Sequence, residues 1–100
     1  MATYNLFVWS EPTAGQEDEY NGWYDSIHLD DVRAIPEFVG ATRFAFTCET
    51  PTPRKYLAIY DIETEEPSTI MARLTKAAEK MFISPALDNK SIVLSIVRKI

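Results

Sequence analysis

The sequence predicts an α+β fold, a four-stranded antiparallel sheet with two helices on one face, in the chain order β-α-β-β-α-β. Three observations carry this. Four short runs are rich in apolar and β-prone residues. Two longer stretches repeat apolar residues at helical spacing, and loops containing Pro or Gly separate the pieces. The 100 residues suit one domain, 1–100, with little room for two. A hydrophobic fraction of 46% supplies a core, and 25% charge argues against disorder.

The first strand is expected over Tyr4 to Trp9, apolar and aromatic with Asn5 as the one polar interruption. Ser10 to Gly15 reads as a loop. A helical pattern starts at Gln16. At 100° per residue Tyr20, Trp23, Tyr24, Ile27 and Ala34 fall on one arc, with His28 and Ile35 at its edge. A straight helix would then turn Leu29 to solvent and Asp31 into the core. A break around His28 to Asp31, with Asp30 or Asp31 capping a short second helix, resolves both conflicts. Pro36 ends this region.

Phe38 to Thr47 reads as the second strand, with Thr42, Phe44 and Phe46 on one face and Ala41, Arg43 and Ala45 on the other. Glu49 to Pro53 is expected to be a hairpin-type loop. Lys55 to Ile62 is the third strand, with Tyr56, Ala58 and Tyr60 alternating against Leu57 and Ile59. A second helix follows Pro67 on the stripe Ile70, Leu74, Ala77, Ala78 and Met81, and breaks at Ser84-Pro85. Ser91 to Arg98 is the fourth strand.

This order is the split βαβ, or ferredoxin-like, arrangement. Two helices cover one face of a four-stranded sheet, yet both faces are apolar. The first strand shows Leu6 and Val8 against Phe7 and Trp9, and the fourth shows Ile92, Leu94 and Ile96 against Val93 and Val97. Strands apolar on both faces are normally buried on both, and the uncovered face is too large an apolar patch for a lone chain. A homodimer, packed through the sheet faces, is the expected remedy.

Composition excludes several function classes. A net charge of −5 with scattered Lys and Arg argues against a nucleic-acid partner. No apolar run approaches the ~20 residues that span a bilayer. The first residues lack the basic segment of a secretory signal, and the single cysteine, Cys48, has no partner for an internal disulfide. These features point to a cytoplasmic protein without a membrane partner. One histidine, one cysteine and no closely spaced ligand pairs give no metal site. The three glycines are isolated, so no phosphate loop exists, and no organic cofactor is expected.

The chemistry-bearing stretch is Asn21-Gly22-Trp23-Tyr24-Asp25-Ser26-Ile27-His28-Leu29-Asp30-Asp31-Val32, followed by Ile35-Pro36-Glu37-Phe38. His28 is the only histidine, and histidine changes charge near neutral pH. It is the candidate general acid or base; the alternative is a helix-end cap bonded to a backbone carbonyl. Tyr24 lies four residues earlier, one turn away, where it is placed to donate to a developing oxyanion or to serve as a core aromatic. Asn21 extends the row, as a substrate contact or a solvated side chain. Trp23 belongs to the core or the pocket wall. Asp31 either orients the imidazole or caps a helix. Arg43 is suited to a substrate carboxylate or to an acidic residue across a dimer. Asp25 falls off the apolar arc, toward solvent.

The same stretch resembles the signature of the EthD-like families of dimeric α+β barrels, roughly N-x-W-Y-D-x-x-H-L-P-D-V followed by I-P-G-F. Tyr56-Leu57-Ala58-Ile59-Tyr60-Asp61 is similar to their YLALYE strand, and Ala41-Thr42-Arg43-Phe44 to their ARRF strand. Two positions depart. Asp30 stands where these families have Pro, so a break after His28 is less enforced. Glu37 stands where they have Gly, which changes the backbone demanded after Pro36. The resemblance implies a ferredoxin-like subunit, a homodimer and a pocket between sheet and helices. It also implies a small-molecule ligand, aromatic or carbonyl-bearing, and a cofactor-free isomerase, cyclase or lyase step with His28 as the proton-transfer residue. The alternative it leaves is a non-catalytic accessory or ligand-binding protein of a catabolic or biosynthetic pathway.

Overall fold

The computed structural model describes residues 2–47 and 51–100. Cys48 and the loop positions Glu49 and Thr50 lie outside the described residues. The elements follow the expected order: β1 (Ala2–Ser10), α1 (Glu17–Trp23), a wide helical turn (Tyr24–His28), α2 (Leu29–Arg33), β2 (Phe38–Ala45), β3 (Tyr56–Thr64), α3 (Ile70–Ala78) and β4 (Val93–Arg98). The strands form one antiparallel sheet in the order β2-β3-β1-β4. The helical layers cover one face, which is the ferredoxin-like α+β arrangement.

Strand alternation decides which residues meet the helices. Leu6 pairs with Tyr60 and Ile96, and Val8 with Ala58 and Leu94, all facing the helices. Leu6, Tyr60, Ile62, Tyr20, Val32 and Ile70 are the most deeply buried of this core. Phe7, Trp9, Leu57, Ile59, Thr42, Phe44, Val93 and Val97 share the other face, which no helix covers. The loop after β1 turns at Gly15, whose φ of +79° is the left-handed region that favours glycine.

The expected break between α1 and α2 is absent. The chain stays helical through Tyr24–His28, with the Leu29 N–H bonded to the Tyr24 carbonyl five residues back. Such a turn holds one residue more than an α-turn. The inserted residue resets the phase of everything after it. The buried series becomes Tyr20, Trp23, Tyr24, Val32 and Ile35, while Ile27 is 41% exposed and Ala34 is exposed. The conflict at Leu29 and Asp31 is thus solved by rotation rather than by a cap. Neither Asp30 nor Asp31 caps α2; Asp30 pairs with Arg33 at 2.8 Å. Glu37 takes its turn without a positive φ.

α3 begins with a single 3-10 turn, Pro67–Thr69, where proline suits the first helical positions. It stops at Ala78, short of the expected Ser84-Pro85. The chain beyond is held from outside the helix. Trp23 Nε1 donates to the Phe82 carbonyl at 3.0 Å, the Thr13 N–H to the Ala86 carbonyl at 2.6 Å, and the Asp88 N–H to the Glu11 carbonyl at 3.1 Å. Met81 still packs on the core, as the stripe predicted.

Candidate functional site

The wide turn brings His28, rather than Ile27, against the sheet layer. Its imidazole stacks on Trp23 with ring centroids 4.6 Å apart and meets the edge of Tyr24 at 5.0 Å. Trp23 is 5% exposed and anchored through Phe82, so it fixes the plane of the imidazole. Burial pulls the His28 pKa down to about 4, with the Asp31 charge opposing and the Arg43 charge assisting. The ring is therefore neutral at pH 7. Its Nδ1 is buried without a hydrogen-bond partner.

Beside it lies a cavity of about 270 Å³ between the sheet and the helical layer. Its walls come from Val8 and Leu94 on the sheet, His28 and Val32, Leu74 and Ala78 of α3, and the segment from Met81 to Ile92. Ile83, Ile92 and Leu94 keep more than a third of their surface exposed, which marks its mouth. Concave, mostly apolar spaces with a few polar groups are what small-molecule sites look like. Tyr60 also lines this cavity, and its hydroxyl is buried without a partner. Burial raises the Tyr60 pKa, and the neighbouring Tyr24 phenol adds to the rise. The strand pattern had placed Tyr60 only as a strand residue. The signal that marks it is its position on the face carrying the core, where a hydroxyl needs a partner.

The other expected site residues form a second cluster. Arg43 projects from β2 over the Tyr24 ring, 4.3 Å from its centroid. Its guanidinium donates to Asp25 Oδ1 and to Asn21 Oδ1, both at 2.8 Å. Asn21 donates in turn to the Tyr56 hydroxyl at 3.3 Å, and that hydroxyl donates to Glu17. The acidic partner of Arg43 is thus Asp25 of the same chain. Asp25, expected to be merely solvated, is 62% exposed in its side chain yet engaged. Tyr24 is 3% exposed, with its pKa pushed up to about 12 by burial, and it separates this network from His28. Asp31 lines a different, open groove between α2 and α3, with Arg73, Lys76 and Lys80. So His28, Tyr24 and Trp23 come together, Asn21 and Arg43 come together beyond Tyr24, and Asp31 stands apart.

This architecture recurs in solved structures. MhuD from Mycobacterium tuberculosis, a heme-degrader with two hemes bound in its active site, superposes with a TM-score of 0.67 over 97% of this chain and 95% of its own, at 15% identity. An ethyl tert-butyl ether degradation (EthD) family protein from Bacillus halodurans C-125 covers both chains completely, with a TM-score of 0.64 at 12% identity. The chain has the EthD-like α+β fold. A protein from Shewanella loihica PV-4, proposed as a monooxygenase, gives 0.65 over 99% of this chain and 95% of its own, at 17% identity. No family model and no curated protein matches the sequence. At these identities the EthD-like likeness is one of fold, and fold leaves the reaction open. Among the described residues no helix is long and apolar enough to cross a membrane.

Proposed function

We propose that the protein is a homodimeric, EthD-like small-molecule-binding protein whose 270 Å³ cavity takes a small aromatic or carbonyl compound, with His28 transferring a proton in a cofactor-free isomerase, cyclase or lyase step. The carrying observation is the oriented imidazole on the wall of a mostly apolar cavity. Its volume lies just below the ~300–1,000 Å³ of typical ligand sites, which suits a single ring. Tyr24, buried against the edge of His28, positions the imidazole in this reading. The homodimer is supported by the apolar, helix-free face of the sheet. That the step needs no cofactor remains an expectation from the sequence, which has a single histidine and no Gly-rich phosphate loop. Adding hemin to the purified protein checks this part. No Soret shift is expected, and a stoichiometric one overturns it.

A specific observation favours a rival. A pKa of about 4 makes His28 a weaker base than the near-neutral value best suited to proton abstraction. That suits a non-catalytic accessory protein that only binds. Hydrogen–deuterium exchange at the acidic carbon of a cyclic β-dicarbonyl, followed by NMR, separates the two. The enzyme reading expects exchange that falls by about 10²–10⁴ in His28→Ala. Binding without exchange supports the accessory reading. Ala78→Phe, which fills the cavity, should abolish binding in either case.

A further inference from the structure

We propose that Tyr60 and His28 together select a neutral, single-ring molecule bearing a phenolic or enolic hydroxyl, and reject a carboxylate of the same size. This rests on the ligand-binding reading of the cavity and names its ligand chemistry. Tyr60 sits mid-strand in β3 between Leu6 and Ala41, 2% exposed, and its side chain lines the cavity. Its hydroxyl and the Nδ1 of His28 are two of three buried side-chain polar atoms that meet no partner in hydrogen-bond geometry among the described residues; the Tyr24 phenol lies near the Tyr60 hydroxyl without completing that geometry. The third, Glu37 Oε1, belongs to a residue that does not line the cavity. Native proteins hold few such atoms, because each has given up water without replacement. Two of them on residues of one apolar cavity wall point to a ligand that completes both.

The oxygen of a phenol or enol does this alone. It accepts from the Tyr60 O–H and donates its own O–H to an imidazole nitrogen. Tyr60 stays a donor at neutral pH because burial disfavours its phenolate. His28 stays an acceptor because burial keeps its ring uncharged. Among the described residues the only other polar wall residue is Asn89. Among the described residues no Lys or Arg lines the cavity, and Arg43 is committed to Asp25 and Asn21. A carboxylate would enter with no counter-charge, at the cost of its hydration.

Titration of the protein with phenol, toluene and benzoate at pH 7, read by NMR shifts, tests this. Phenol is expected to bind at least about fivefold tighter than toluene, and benzoate more weakly than both. Tyr60→Phe should remove the phenol advantage while leaving toluene within about twofold. Anisole, which keeps the acceptor for Tyr60 and loses the O–H that donates to His28, tests the second contact in the unaltered protein and should bind more weakly than phenol. Equal binding of phenol, anisole and toluene, a phenol advantage that survives in Tyr60→Phe, or benzoate binding best would each overturn the assignment and leave the cavity reading standing. If none of the four probes binds, the cavity reading itself falls.

Discussion

The two faces of the sheet are built from the same strands and solved differently. On one, Leu6, Ala58, Tyr60 and Ile62 are closed over by α1, the wide turn, α2 and α3. The cover is incomplete, and the gap beside His28 is the cavity. On the other, Phe7 and Trp9 lie with ring centroids 5.5 Å apart under no helix, and Phe44 and Val97 are 45% and 42% exposed. This face becomes polar at one end, where Asn5 Nδ2 donates to Asp61 Oδ1 at 2.8 Å beside Gly40. The near-continuous apolar runs, divided by period-two alternation, make both faces apolar. Helix coverage leaves a cavity on one face and leaves the other bare, the face on which the proposed dimer rests.

The largest effect that separates the faces is at Trp23. It carries packing, the Phe82 tether and the imidazole stack, so Trp23→Ala should cost about 3–5 kcal/mol in denaturant melts. A loss under about 1 kcal/mol would show that the covered face does not depend on it.

The covered face also predicts a pH dependence. His28 titrates near 6.5 when unfolded and about 4 when folded, so the unfolded state takes up the proton first. His28 adds stability that is fully present above about pH 6.5 and is lost as pH falls toward 4, at most about 3 kcal/mol. His28→Gln should flatten that part of the melting profile. An unchanged slope would place the ring in water.

On the bare face, Phe7→Lys should leave the fold intact and dissociate the proposed dimer to the 11.4 kDa chain, weakening association by about thirtyfold or more. Light scattering after size exclusion reads this directly. A monomeric wild type at micromolar concentration would remove the dimer from the account.

The smallest contrast tests the wide turn itself. Val32→Ala should cost about 2 kcal/mol and Ile27→Ala under about 1 kcal/mol, because the extra residue buries the first and exposes the second. The reverse order would mean an ordinary α-helix.

Much of this was legible in the residues. The order of elements, the sharing of one strand face by Ala41 and Arg43 and of another by Ala58 and Tyr60, and the stripe from Ile70 to Met81 follow from local periodicity, which neighbours in sequence specify. The misfit of Leu29 and Asp31 on a straight helix was also legible, but its remedy was not. A capped break and a five-residue turn satisfy the same local pattern, and packing of Trp23, Val32 and Ile35 selects between them. The partner of Arg43 is likewise a tertiary matter, since β2 must lie under α1 before Asp25 and Asn21 are in reach. Sequence by itself determined that both sheet faces are apolar and that one imidazole would stand a turn away from Tyr24; the wide turn added its stack on Trp23. Only the tertiary structure decided that Asn21, Arg43 and Asp31 leave the cavity and that Tyr60 joins it. Hydrogen-bond satisfaction across elements depends on distances that no spacing along the chain records.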